Sequence, residues 1–110
     1  MHVEIETKRD TLMARIRGEI DLATADELRE IVDGQLKNKG YKAVILELSG
    51  VSFIDSSGLG FILGRYKKIK GQGGMMYIVG ARPSVSRLLE ISGITKLIPV
   101  YANEHEVVQR

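Results

Sequence analysis

Residues 43–48 read AVILEL, and Glu47 is the only charged side chain among them. A run that short and apolar, bounded by polar or glycine residues, suits a central strand covered on both faces. Two covered faces require helices packed back over a sheet, and this constrains the whole chain.

The neighbouring segments supply that cover. HVEIET alternates, with Val3 and Ile5 on one side, and TLMARIRGEI places Leu12, Ala14 and Ile16 on one face. The polar KRD between them predicts a hairpin turn. In TADELREIVDGQLKNKG the spacing of Leu28, Ile31, Val32 and Leu36 predicts a helix. Thr24 and Glu27 have capping-box spacing at its start, Gly34 weakens it by about 1 kcal/mol relative to alanine, and Gly40 suits its exit. SGVSF then reads as a loop. A second helix is predicted over residues 57–70, with Leu59, Ile62, Leu63, Tyr66 and Ile69 as its buried stripe. GQGG ends it, and MMYIVG follows as a strand. Pro83 opens a third helix with Val85, Leu88 and Leu89 facing inward, and Gly93 closes it. KLIPV reads as a last strand at an edge, because Pro99 lacks a ladder donor. Asn103 and Glu106 repeat the capping spacing before a short terminal helix. The order β-β-α-β-α-β-α-β-α predicts an α/β fold. It is a mixed, mostly parallel sheet with an N-terminal hairpin and about four helices. With 110 residues, one domain over residues 1–110 is expected.

Composition excludes several functions. The formal charge of +2 is too mild to imply nucleic acid, and two phenylalanines and four tyrosines are few for base stacking. The chain has no cysteine, hence no disulfide framework and no thiolate metal site. MHVEIETKRD has no apolar signal region, and no apolar run reaches membrane-spanning length. A cytoplasmic protein acting without nucleic acid or membrane is therefore expected.

Chemistry is concentrated in FIDSSGLGFILG, residues 53–64, where an apolar run meets a carboxylate, two hydroxyls and glycines. A nucleophilic serine needs a base, and the only histidines, His2 and His105, lie near the chain ends. The G-x-S-x-G spacing is missing, so no catalytic residue is expected and the chain reads as a non-enzyme. Gly58, Gly60 and Gly64 miss the dinucleotide fingerprint by one residue, and no P-loop lysine follows. Asp21, Asp26 and Glu27 form an acidic group, yet helix starts favour acids such as Asp26 and Glu27 on electrostatic grounds alone, so no metal site is expected; Asp21 precedes the helix and is open to a role outside capping. A serine cap, through Ser56 or Ser57, is a simple use of a hydroxyl there. It leaves the helix-weakening glycines unexplained. Helical spacing sets Ser57, Gly60, Phe61, Gly64 and Lys68 opposite the apolar stripe. This low face with one aromatic either docks a partner through Phe61 or packs on another helix of the same fold. A phosphate on a serine at its rim would be favoured by the helix start and repelled by Asp55.

Three stretches, GEIDLATADELR, VSFIDSSGLGFILGRYKKIKGQGG and LLEISGITKLIPV, give the chain a family likeness over nearly its whole length. It resembles the anti-sigma factor antagonists of the STAS domain family, most nearly the SpoIIAA type of spore-forming bacteria. The resemblance implies a mixed sheet with packed helices. It also implies an anti-sigma factor partner that is a serine kinase of the SpoIIAB kind and phosphorylates the serine after the motif's aspartate, here Ser56. The unphosphorylated chain would bind the kinase–nucleotide complex and release a sigma factor, with sporulation sigma factor F as the expected target. A PP2C-type phosphatase of the SpoIIE kind would restore the active form. No cofactor is expected on this chain, because ATP or ADP would sit on the kinase. Asp21 would lie close to the modified serine. With the helix face, the expected partner-binding residues are Asp21, Thr24, Asp55, Ser56, Ser57, Gly58, Gly60, Phe61 and Gly64. The alternative within the same fold is a general-stress antagonist or a non-catalytic scaffold.

Overall fold

A computed structural model describes residues 1–37 and 40–108. The strands are β1 (His2–Lys8), β2 (Thr11–Ile20), β3 (Ala43–Ile54), β4 (Met75–Val79) and β5 (Val100–Tyr101). The helices are α1 (Ala25–Leu36), α2 (Ser56–Gly71), α3 (Pro83–Ile91) and α4 (Glu104–Val108), with a 3-10 turn at Ile94–Lys96. One sheet runs in the order β1-β2-β3-β4-β5, with β1 antiparallel to β2 and the remaining pairs parallel.

Each parallel connection leads to the adjacent strand. Right-handed crossovers of that kind return every helix to the same side of the sheet. The core shows the result. Leu12, Ala14 and Ile16 of β2 and Val44, Leu46 and Leu48 of β3 join residues of α1, α2 and α3 in one cluster. The opposite face carries Met13, Ile45 and Val79, covered by Val107 of α4. The sheet is thus two-sided, as the AVILEL run requires, with three helices on one face and a short one on the other. Among the described residues no helix is long and apolar enough to cross a membrane.

Several expectations are corrected here. SGVSF is not a loop, because β3 continues through it to Ile54. Pairing steps from Arg15–Glu47 to Arg17–Gly50, and from Gly18–Val51 to Glu19–Phe53. Each step is a bulge that adds one residue to β3 and breaks its alternation, which is what made the sequence look irregular. Gly50 serves the first bulge, since a Cβ there would lie 2.7 Å from Cγ of Arg17. α1 ends at Leu36 with Lys37 as its C-cap, ahead of Gly40. Most of KLIPV is taken up by the 3-10 turn and the segment after it, and only Val100 of that run joins an edge strand. Leu88 is partly exposed, while Val85 and Leu89 are buried. Pro83 does open α3, and Gly93 adopts φ 86° beyond its end.

This topology positions the site. β2 and β3 are parallel neighbours, and their last residues, Ile20 and Ile54, pair with each other. The segments leaving them, at Asp21 and at Asp55, therefore emerge side by side at the carboxyl end of the sheet, where α/β folds place their ligand sites.

Candidate functional site

Asp55 organises the junction. Its Oδ1 accepts a hydrogen bond from the backbone N–H of Gly58 at 3.0 Å, so Asp55 is the N-cap of α2. Its Oδ2 accepts from the N–H of Leu22 at 3.2 Å, in the loop after β2. Its own N–H donates to the carbonyl of Ile20 at 3.3 Å. One carboxylate thus ties the β2–α1 loop to the start of α2, where the helix dipole favours negative charge.

The expected serine cap is therefore corrected: the carboxylate fills the role because its extended backbone sets it ahead of the first turn. Ser56 is the first residue of α2 and is exposed, whereas Ser57 is half-buried. Neither hydroxyl has a hydrogen-bond partner among the described residues. Neither histidine stands beside them. His2 is on β1 beside Glu4, and His105 is on α4, on the other face of the sheet from α2.

The loop beside them is ordered by its own side chains. Asp21 Oδ1 accepts from the N–H groups of Ala23 and Thr24 at 3.0 and 3.1 Å. Thr24 Oγ1 donates to the carbonyl of Glu19 at 2.9 Å and accepts from the N–H of Asp21 at 3.0 Å. The capping box with Glu27 does not form, because local side-chain to backbone bonds engage the Thr24 hydroxyl first. Leu22 stands at the loop tip, 79% exposed, and Phe53 at the end of β3 is also exposed.

The three glycines of α2 have different roles. Gly58 is buried, and a Cβ there would lie 2.3 Å from the Ile20 carbonyl oxygen, so this turn can approach β2 only without a side chain. A Cβ on Gly60 or Gly64 would meet nothing within 4 Å. Those two residues floor an open groove of about 420 Å³ between α1 and α2, with Leu22 and Arg29 on one wall and Ser57 and Arg65 on the other.

Phe61 is not the exposed anchor expected of that face. It is 4% exposed and belongs to the main core, beneath the Arg65 guanidinium, whose Cζ is 5.5 Å from the ring centroid. α1 packs beside α2, so the helix–helix alternative accounts for Phe61, while Gly60 and Gly64 remain open. Sequence reasoning missed Leu22, Arg29, Asp33 and Arg65. Arg65 Nε lies 2.8 Å from Asp33 Oδ1, and Lys68 Nζ lies 2.9 Å from Asp33 Oδ2. The i+4 spacing of Phe61 and Arg65, an aromatic beneath a cation on the glycine side, was the one available hint. A second concavity of about 470 Å³ lies on the α4 face, lined by Met13, Ile45, Tyr77 and Val107 among others, away from the serines.

With this geometry established, known proteins give a consistent picture. The family model for the STAS domain matches residues 2–107. An anti-sigma F factor antagonist from Paenibacillus polymyxa is 41% identical over 104 residues, covering 94% of this chain and 89% of that protein. An anti-sigma-B factor antagonist from Staphylococcus aureus is 30% identical over 100 residues, covering 91% and 92%. The solved structure of the anti-sigma factor antagonist SpoIIAA in its unphosphorylated form superposes with a TM-score of 0.85 at 25% identity, covering 99% of this chain and 95% of that one.

Proposed function

The chain belongs to the STAS domain family, and from that premise we propose that it is an anti-sigma factor antagonist whose docking is switched off by phosphorylation of Ser56. The observation that carries this reading is the division of labour at the start of α2. Asp55 performs the capping, which leaves the Ser56 hydroxyl exposed and uncommitted. Accessibility favours Ser56 over the half-buried Ser57 as acceptor.

In this reading the partner anti-sigma factor is a serine kinase that holds the nucleotide. The Ser56 oxygen attacks the γ-phosphorus of its ATP, ADP leaves, and the hydroxyl proton passes to a base on the kinase. The phosphate brings about −1.5 to −2 charges to a helix start that favours anions, but beside the carboxylates of Asp55 and Asp21. Docking is weakened by that charge and bulk, and a PP2C-type phosphatase reverses it. Asp21, Asp55, Ser56, Ser57, Gly60 and Gly64 form the contact surface. Thr24, Gly58 and Phe61 shape it from within the loop and the core. The protein acts in the cytoplasm as a regulator and not as an enzyme. The Paenibacillus polymyxa relative favours sporulation sigma factor F as the factor released. The Staphylococcus aureus relative supports the second reading, a general-stress antagonist with the same switch.

Incubating the chain with its partner kinase and labelled ATP, then mapping the label, tests the assignment. Label on Ser56 and its absence from Ser56→Ala are expected. Label on Ser57, or none, would remove the basis of the switch.

A further inference from the structure

The groove between α1 and α2 contains one more positive than negative charge. Of the charged residues that line it, Arg29 pairs with Asp26, while Arg65 meets Asp33, which lies outside the lining and is shared with Lys68, so two cations face one acid. Arg65 is 5% exposed, and its Nε has no hydrogen-bond partner among the described residues, because its N–H is not aligned on Asp33 despite their contact distance. Burial lowers the Arg65 pKa from its ordinary value, Asp33 opposes that shift, and the charge of Arg29 adds to it. The two guanidinium groups therefore repel each other across the groove. A buried charge with incomplete compensation gains from a further counter-charge more than an exposed one does.

The space beside the half-exposed Arg29 and the nearly buried Arg65 is kept open by Gly60 and Gly64. No packing contact requires either, since a Cβ on each would meet only open space. Each lowers helix stability by about 1 kcal/mol relative to alanine. A side chain at either position would stand in the groove over Arg65. At the mouth, Leu22 offers an exposed apolar contact.

We infer that the groove receives one carboxylate side chain of the partner anti-sigma factor, an Asp or Glu seated over Gly60 and Gly64 between Arg29 and Arg65. An excess of one positive charge suits a single carboxylate. A phosphate dianion would overcompensate it beside Asp26. The inference rests on the antagonist reading and adds to it the residues of α1 and the chemistry of the partner.

The test is calorimetric titration of the full chain into the partner kinase loaded with ADP, with circular dichroism to verify each fold. Arg29 is half-exposed, so Arg29→Gln preserves the structure even where Arg29→Glu, beside Asp26, does not. Arg29→Glu is expected to weaken binding about tenfold or more, and Arg29→Gln by less. Among kinase variants with single surface acids changed to lysine, one should restore binding to Arg29→Glu. If the wild-type chain does not bind the kinase at all, the antagonist reading falls and takes this inference with it. If it binds and both Arg29 variants stay within about twofold, the antagonist reading stands and the carboxylate inference is overturned. Weakened binding that no acid-to-lysine change in the kinase restores also overturns it, and points to the bound nucleotide as the anion.

Discussion

Replacing Gly58 by alanine tests how the start of α2, and Ser56 with it, is positioned. The new Cβ would lie 2.3 Å from the Ile20 carbonyl oxygen and 2.5 Å from Cγ1 of Ile54. Normal non-bonded contacts lie near 3.5 Å, so the first turn of α2 must move roughly 1 Å away from β2. The Ile20 oxygen is backbone and already accepts from the N–H of Asp55, so it cannot yield without disturbing the cap. Overpacking of this kind costs about 1–3 kcal/mol. The disturbed hydrogen bond adds about 1 kcal/mol, and the better helix propensity of alanine returns about 1 kcal/mol. The net loss is about 1–3 kcal/mol, or roughly 4–12 °C in melting temperature for a chain of this size. Gly60→Ala and Gly64→Ala meet no neighbour and should instead gain up to about 1 kcal/mol each. Thermal and urea denaturation of the three variants measures both signs. A Gly58→Ala protein melting at or above wild type, or either control melting below it, would refute the reasoning.

The capping assignment makes a parallel prediction. Asp55→Ala should cost about 1–2 kcal/mol in urea denaturation, while Ser56→Ala and Ser57→Ala stay within about 0.5 kcal/mol. The buried ion pair makes another. Asp33→Ala strands the Arg65 charge and should cost about 3 kcal/mol, whereas the double change Asp33→Leu with Arg65→Met should melt near wild type.

The element order was legible because each helix or strand announces itself by its own period, as in AVILEL or in Leu28–Val32–Leu36. What failed depends on a second segment. The bulges of β3 exist only in its pairing with β2, so SGVSF gave no strand signal by itself. Asp55, Ser56 and Ser57 are all acceptable caps, and the extended backbone of Asp55 decided among them. Thr24 and Glu27 had the right spacing for a box, yet Asp21 lay close enough to compete. Phe61 looked exposed because a single helix cannot reveal that a neighbour covers its second face. Gly58, Gly60 and Gly64 all weaken the helix, and that Gly58, off that face, is the one of the three that the core requires could not be read without the position of Ile20.

The two bulges give β3 an arithmetic of its own. Ten residue steps carry it from Val44 to Ile54, while β2 takes eight from its paired Leu12 to Ile20. Each extra residue is absorbed where it enters, so paired residues keep to the same side: Val51, one residue ahead, lies in the core opposite Gly18, and Ile54, two ahead, lies there opposite Ile20. Deleting the extra residue of either bulge should therefore straighten that bulge and still deliver Ile54 to Ile20 and Asp55 to the loop after β2. The bulges act as slack in β3, which lets its length vary while the end that carries Asp55 and Ser56 stays in place.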